Sequence, residues 1–386
     1  MAVTSSAQTF EYVVIGAGAM GSAAAYHLAR DGRRVLLLEQ FAVGHTRGSS
    51  HGESRIFRFA YPNADYAQLA MQCKPLWRQL EAESGERLLI ETGGLDLADD
   101  PEGFNAVDEV ARTLERLGAA YALLDAEQVR ARFPMFSMSR EGRAVYSPDA
   151  GILLADRCVR AFVRLAQAQG AVVHEHEAVR AIHPEGAHVW VETAQQRYRA
   201  RAVIITAGAW VNALLAGLGF ALPLRIEREQ VAYFDARGSA EFRPERMPIW
   251  IHYRALIAYG FPDLGNGVKA GFHHAGHYLN SADENNGQPD AADLERLGNY
   301  IRMRFPALDP TPRNALTCLY TNAPDEDFII DALPSVPNVI VASPCSGHGF
   351  KFAVGIGRAL ADLVQHGETS LHIRHTRRLA ALLQQL

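Results

Sequence analysis

Gly16, Gly18 and Gly21 stand in G-x-G-x-x-G spacing, and the acidic Glu39 follows them after a helix-length segment and a short apolar run. Gly16 permits a tight turn, Gly18 lets backbone approach a pyrophosphate, and Gly21 lets helix and strand pack closely. The free N–H groups of a helix N-terminus attract phosphate oxygens. Glu39 is suited to accept hydrogen bonds from a ribose hydroxyl. The glycine spacing alone is weak, but strand, glycines, helix, strand and acid in this order point to dinucleotide binding. The motif does not separate FAD from NAD.

Further groups with chemical potential lie downstream. The stretch FAVGHTRGSSHGESRIFRFAYP holds His45, Arg47, His51, Arg55 and Arg58. Such a cluster is usually a solvated loop. This one leaves the second strand of the dinucleotide unit, at the carboxyl edge where ligands sit in such sheets. Tyr259, Lys269 and His273 fall in alternating segments, with Lys269 and His273 on one parity. Cys318 is a lone cysteine in a strand, a position usually held by a small buried hydrophobe. The loop SPCSGHG precedes a helix whose N-terminus would face a negatively charged ligand group.

The elements that position these residues are legible from periodicity. Tyr12 to Ile15 and Val35 to Leu38 read as buried parallel strands, with a helix from Ser22 to Arg30 between them. Asn63 to Ser84 reads as an amphipathic helix with Leu69, Cys73, Leu76 and Leu80 on one face. Leu88 to Asp99 alternates like strands, and helices are expected over Gly103 to Leu117 and Asp125 to Arg132. A further helix is expected over Gly151 to Gly170. Ala171 to His176 and Val179 to Ile182 read as strand. His188 to Thr193 and Tyr198 to Thr206 form a hairpin that returns through Ala207-Gly208-Ala209 to the dinucleotide site. Leu222 to Ala236 and Pro248 to Ala270 alternate, Ala291 to Arg304 is a covering helix, and Ala315 to Tyr320 is a strand. Val339 to Ala342 is a strand and Phe350 to His366 a helix, with an amphipathic segment beyond Leu371.

The 386 residues suffice for two domains or one large one, and a 48% hydrophobic content supports a sizeable core. A net charge of −5 without a basic run argues against nucleic acid as a main partner. No apolar stretch is long enough to span a bilayer. The first nine residues, MAVTSSAQT, are polar, lack a signal-peptide apolar region and read as a short tail. Cys73, Cys158, Cys318 and Cys345 show no C-x-x-C pair, which suits a reducing cytoplasm and offers no zinc site. No metal is expected.

Three stretches together resemble one family: GAGAMG, GSSHGESRIFR, and the pair CLYTNAPDEDFIIDALP and SGHGFKF. The chain looks like a monomeric sarcosine oxidase or N-methyltryptophan oxidase, within the D-amino-acid-oxidase-like flavoproteins, over nearly its whole length. The resemblance implies an α/β fold. A Rossmann-like FAD-binding domain, discontinuous in sequence, would comprise 1–90, 150–217 and 318–386. An α+β substrate domain on a mostly antiparallel sheet would comprise 91–149 and 218–317.

The resemblance further implies FAD held covalently, through a thioether from Cys318 to the flavin 8α-methyl. His51 and Arg55 match the pair against the isoalloxazine, where a cation favours the anionic reduced ring. Arg58 and Lys351 match the residues that bind the substrate carboxylate. Lys269 resembles the lysine that activates oxygen. Tyr259, His273 and Tyr320 match pocket residues around the substrate amine. Further cofactor contacts are expected from Gly16, Gly18, Met20, Gly21, Glu39, Ser49, Gly208, Gly347, His348, Gly349 and Lys351, with Cys345 near the flavin and Asp331 near the ribityl chain.

Three positions depart from the family pattern. Trp250 lies where the pocket has a smaller residue, Asn63 replaces an acid, and Ser50 replaces a histidine. They leave the substrate's side chain open. The implied activity is oxidation of the C–N bond of a secondary or N-alkyl amino acid, with O2 reduced to H2O2, by a monomer. A dehydrogenase of the same fold that passes electrons to a carrier, and a flavin-binding sensor without turnover, are the competing readings.

Overall fold

The opening strand, Gln8–Ile15, runs parallel between Val35–Leu38 and Arg197–Ile205. Its apolar half and the whole of Val35–Leu38 are buried, as a strand covered on both faces requires. The computed structural model describes residues 8–377 and 379–383. Of the expected polar tail, residues 1–7 lie outside the described residues, whereas Gln8 and Thr9 already belong to the opening strand.

An eight-stranded sheet grows from this core. Val172–His174 extends it beyond Val35–Leu38, and the antiparallel pair Val179–Glu185 and His188–Thr193 extends it beyond Arg197–Ile205. Val336–Ser343 pairs parallel with Arg197–Ile205 and carries Ile329–Leu333 on its other side. The helix Ala19–Arg30 packs between Ala155–Ala168 and Ala353–His366. The crossing with Ala353–His366 is very close, since a Cβ on Gly357 would lie 2.5 Å from the Ala23 Cβ.

The expected helix over Gly151 to Gly170 is corrected at its start. Gly151–Leu153 is a strand between Arg55–Phe57 and Leu89–Glu91, and the helix begins at Ala155. The apolar run that resembles a helix turn is buried on all sides. A Cβ on Gly151 would stand 2.1 Å from the Ile90 carbonyl oxygen, so glycine permits the close strand contact.

The second, nine-stranded sheet is antiparallel except where Ile249–His252 meets Gly94–Ala98. Its centre is Arg225–Phe234, flanked by Val268–Phe272 and Pro312–Asn322. Ala258–Phe261 lies between Val268–Phe272 and Ile249–His252. The helix Ala291–Arg304 covers one face, burying Leu297, Tyr300 and Ile301 against Trp250, Phe234 and Phe305. The other face turns toward the glycine turns of the first sheet. Pro312–Asn322 carries Cys318 and belongs wholly to this second sheet. Among the described residues, no helix is long and apolar enough to cross a membrane.

Candidate active site

A cavity of about 700 Å³ lies where the carboxyl ends of the first sheet meet the open face of the second. At one end it is lined by Gly16, Gly18, Met20, Glu39, Ser49 and Gly208. Gly16 has φ +98°, a backbone that L side chains rarely adopt, and a Cβ there would lie 2.7 Å from the Thr206 carbonyl oxygen. Gly21 stands behind the turn. Its added Cβ would meet the Gly16 oxygen at 1.9 Å, so it seats helix on strand and does not line the cavity. The helix starts at Gly18 without a side-chain cap. Both Glu39 oxygens accept backbone N–H groups, from Ala17 at 2.8 Å and Phe41 at 2.9 Å. Those bonds fix the carboxylate at the cavity wall with acceptor capacity left over. Ser50, beside the expected Ser49, accepts the Ala19 N–H at 2.9 Å, while the Ser49 hydroxyl donates to the Leu319 carbonyl.

The middle of the cavity gathers His51, Arg55, Lys269, Tyr259 and Cys318. Arg55 is fixed by donating to the carbonyls of Ser49 at 2.7 Å, His51 at 2.8 Å and Ser54 at 2.8 Å. Burial, and then the Arg55 charge, pushes His51 down to about 4, so its imidazole is neutral and the cation of the expected pair is Arg55. Among the described residues, the buried His51 Nε2 has no hydrogen-bond partner. Lys269 is buried, donates to the Ser54 carbonyl at 3.0 Å and faces the Phe261 ring at 4.7 Å. Burial, and then Arg55, lowers it to about 7.

The far end holds an arginine and a lysine around one ring. Arg58 and Lys351 lie 4.6 Å and 5.2 Å from the Tyr61 ring centroid. Lys351 donates to the Tyr61 hydroxyl and to the His348 carbonyl, both at 2.7 Å. Arg58 Nη1 donates to Asp96 at 2.6 Å, to the Tyr253 hydroxyl at 3.0 Å and to the Ala60 carbonyl. Burial holds the Lys351 ammonium well below its ordinary range, with Arg58 adding to the effect. Beside them the Tyr320 hydroxyl meets His273 Nδ1 at 3.3 Å. His273 is held well below its ordinary value by burial and then by neighbouring His274, so it is neutral. Gly347, with φ +74°, makes room here: a Cβ would meet the Tyr320 and His273 rings at 2.4 and 2.7 Å. His348, Gly349 and Cys345 line the same wall.

Two expectations are corrected. Trp250 is fully buried away from the cavity, with its ring 5.2 Å from Phe305 and 5.9 Å from Tyr300. Side chains alternate along Ile249–His252, so Ile251 faces the cavity and Trp250 faces the covering helix. Asp331 is paired with Arg377 at 3.0 Å and does not line the cavity. Asn63, another departure, caps the helix Ala64–Ser84 by accepting the Asp65 N–H. Asp96, Tyr61 and Tyr253 were not singled out from sequence. A polar residue at the centre of the apolar run GLDLA was the one available signal for Asp96.

The residues present fit a flavin dinucleotide. Gly16, Gly18 and Gly208 line the cavity, a Cβ on Gly208 would meet nothing within 4 Å, Gly18 brings no capping side chain to the helix start, and His51 Nε2 is an orphaned buried nitrogen on the cavity wall.

The family model for FAD dependent oxidoreductases (DAO) matches residues 11–363. A monomeric sarcosine oxidase of Streptomyces avermitilis is 36% identical over 383 residues, covering 97% of this chain and 98% of that protein. The peroxisomal sarcosine oxidase of Homo sapiens is 34% identical over 360 residues, covering 92% of each. Among solved structures, the open form of NikD, an unusual amino acid oxidase, superposes with a TM-score of 0.86 at 27% identity, over 96% of this chain and 97% of that one.

Proposed function

The chain belongs to the DAO family of FAD dependent oxidoreductases, and from that premise we propose that it oxidises the C–N bond of N-methyl or other N-alkyl amino acids, with O2 as acceptor. The observation that carries the substrate class is the pair Arg58 and Lys351, the first partly and the second fully buried, around Tyr61 beside His273 and Tyr320. The donor groups of Arg58 and Lys351 facing one cavity suit a carboxylate, and a neutral histidine with two tyrosines suits an amine.

FAD, when bound, supplies the hydride acceptor and returns the electrons to O2 as H2O2. The protein supplies position and charge. Glu39 and the glycine turn hold the ribose and pyrophosphate. Arg58 and Lys351 bind the substrate carboxylate, and Asp96 and Tyr253 keep Arg58 in place. The neutral His273 accepts a hydrogen bond from the substrate nitrogen. Arg55 places positive charge against the flavin ring, and Lys269 places it where oxygen is reduced. Cys318 is the attachment point of the flavin in this reading, supported by its place on the cavity wall and by the motif around it. Segments 1–90, 150–217 and 318–386 serve the cofactor, and 91–149 and 218–317 the substrate, with the Pro312–Asn322 strand shared between them. We assign it to the cytoplasm as a monomer, on four free cysteines and on the name of one relative.

Anaerobic titration of the purified protein tests this. The panel comprises sarcosine, other N-methyl amino acids, proline, pipecolate, glycated and primary amino acids, followed by air. Bleaching by an N-alkyl amino acid and fast recolouring with peroxide is expected. Bleaching with slow recolouring would replace the oxidase with a dehydrogenase, and no bleaching by any of the panel would overturn the substrate class.

A further inference from the structure

Two buried carboxylates stand on the cavity face of the second sheet without a role in the chemistry above. Glu227 and Glu229 lie on Arg225–Phe234, two residues apart, each about 2% exposed. In the antiparallel ladder with Pro312–Asn322, Glu229 is directly opposite Cys318 and Glu227 is directly opposite Tyr320. Opposed residues share a face of the sheet and lie side by side. Cys318 and Tyr320 line the cavity, so both carboxylates point to that side.

The pair is connected outward. Glu229 Oε1 accepts the N–H groups of Ala275 at 2.8 Å and Gly276 at 3.2 Å. Glu227 Oε2 meets His274 Nδ1 at 3.1 Å and accepts from Asn322 at 2.7 Å. His274 lines the cavity, and its Nε2 lies 3.5 Å from a carboxylate oxygen of Glu326. The Glu326 side chain is 60% exposed. His274 and Glu326 both adopt left-handed backbone, with φ +54° and +61°. Non-glycine residues so held mark places where surrounding structure fixes a side chain against strain. The groups stand in order from the partly buried Cys318 thiol to solvent: Glu229, Glu227, His274 and, at ion-pair distance without a hydrogen bond, Glu326.

We propose that Glu229 takes the proton of the Cys318 thiol when the flavin is attached, and that Glu227 and His274 pass it to Glu326 at the surface. The inference rests on the reading of Cys318 as the attachment point. The balance is closed. The S–H bond of Cys318 and one C–H bond of the flavin 8α-methyl break, and one S–C bond forms. Two electrons pass to O2, the oxidant of the proposed activity, which leaves as H2O2 with the two protons. The nucleophile in such a step is the thiolate, and burial disfavours it: the Cys318 thiol is pushed above its ordinary range. The nearby Arg55 charge favours the thiolate, but the proton still needs an acceptor away from water. Burial, and then Glu227, raises Glu229 to about 8, close to the range of a thiol. The titratable groups facing Glu229 are Glu227 on its own strand, Cys318 and Tyr320 on the cysteine strand, Tyr259 on Ala258–Phe261 and His274 after Val268–Phe272.

The test uses full-length chain produced without flavin and mixed with FAD in air. Covalent incorporation is followed as flavin fluorescence of the acid-denatured chain and as its intact mass. Wild type is expected to acquire the flavin mass at a rate that rises with pH through about 8, as Glu229 loses its proton. Glu229→Gln keeps the acceptor for Ala275 and Gly276 but is not a base. It is expected to bind FAD non-covalently as wild type does and to attach it at least tenfold more slowly, without that pH step. Attachment by Glu229→Gln at the wild-type rate would overturn the relay and leave the Cys318 assignment standing. Wild type with no covalent flavin would overturn both. If Glu229→Gln does not fold, the wild-type pH profile decides: a rate flat between pH 6.5 and 9 overturns the relay.

Discussion

Lys269 keeps its ammonium on the Ser54 carbonyl while burial draws its proton affinity down to about 7. A charge in that state is present below about 7 and lost as pH rises. Oxygen reduction in the proposed mechanism depends on it, so reoxidation of the reduced enzyme by O2 should slow from pH 7 upward. Lys269→Met should reoxidise slower by roughly 10² or more, independently of pH, with near-normal anaerobic reduction. Stopped-flow mixing of reduced enzyme with O2 reads both, and unchanged kinetics in Lys269→Met would remove Lys269 from the mechanism. The same scale decides the carboxylate clamp. Charge-assisted hydrogen bonds contribute about 1.5–3 kcal/mol each. A substrate methyl ester should therefore show KM raised roughly a hundredfold with Arg58 and Lys351 intact. An ester turned over as well as the acid would dismiss their role.

At the scale of elements, the close contacts decide. The opening helix rests on its strand only because Gly21 has no side chain, its added Cβ falling 1.9 Å from the Gly16 oxygen. Backbone cannot swing aside as a flexible side chain does. Gly21→Ala should therefore destabilise the protein by about 1–3 kcal/mol in urea unfolding and weaken FAD retention. Much of this architecture was legible in the sequence. Strands at Val35–Leu38 and His188–Thr193 and helices at Ala64–Ser84 and Ala291–Arg304 follow from runs and periods that burial enforces. What was illegible depends on neighbours. Gly151–Leu153 continues into a helix and shares its apolar character, and only pairing with Ile56 on one side and Ile90 on the other makes it a strand. Trp250 and Ile251 differ by one step of alternation, which sequence does not orient until the covering helix is placed. Asp96 reads as an interruption of an apolar strand until Arg58 is brought to it from elsewhere in the chain. The glycine turns, His51, Arg55, Arg58, Lys269, His273, Cys318 and Lys351 do converge on one cavity, because each sits at the end of an element or on its cavity parity.

At the scale of the molecule, the interior is charged with buried neutral histidines. His27 is pushed down to about 3 by burial and then by Arg358, and His252 to about 2 by burial and then by Arg304. Both fold in the neutral form, whereas the unfolded chain takes up their protons below the ordinary value of 6.5. The sign follows: stability is full above about 6.5 and falls as pH drops toward the folded values. Each such histidine removes up to about 1.4 kcal/mol per pH unit in that window. The thermal midpoint should decline steadily between pH 7 and 5, and an unchanged midpoint would contradict the neutral assignments.

The cysteine strand belongs to the nine-stranded sheet, while the glycine turn and Glu39 belong to the eight-stranded one. A flavin bonded to Cys318 and gripped by the glycine turn thus has its two ends on different sheets and becomes a tether between them. Its local concentration at the glycine turn is fixed by geometry, on the order of millimolar, and no longer by the surrounding solution. Dilution would then leave the loaded protein intact. Cys318→Ala would return the cofactor to ordinary mass action, with a thermal midpoint that climbs as free FAD is added.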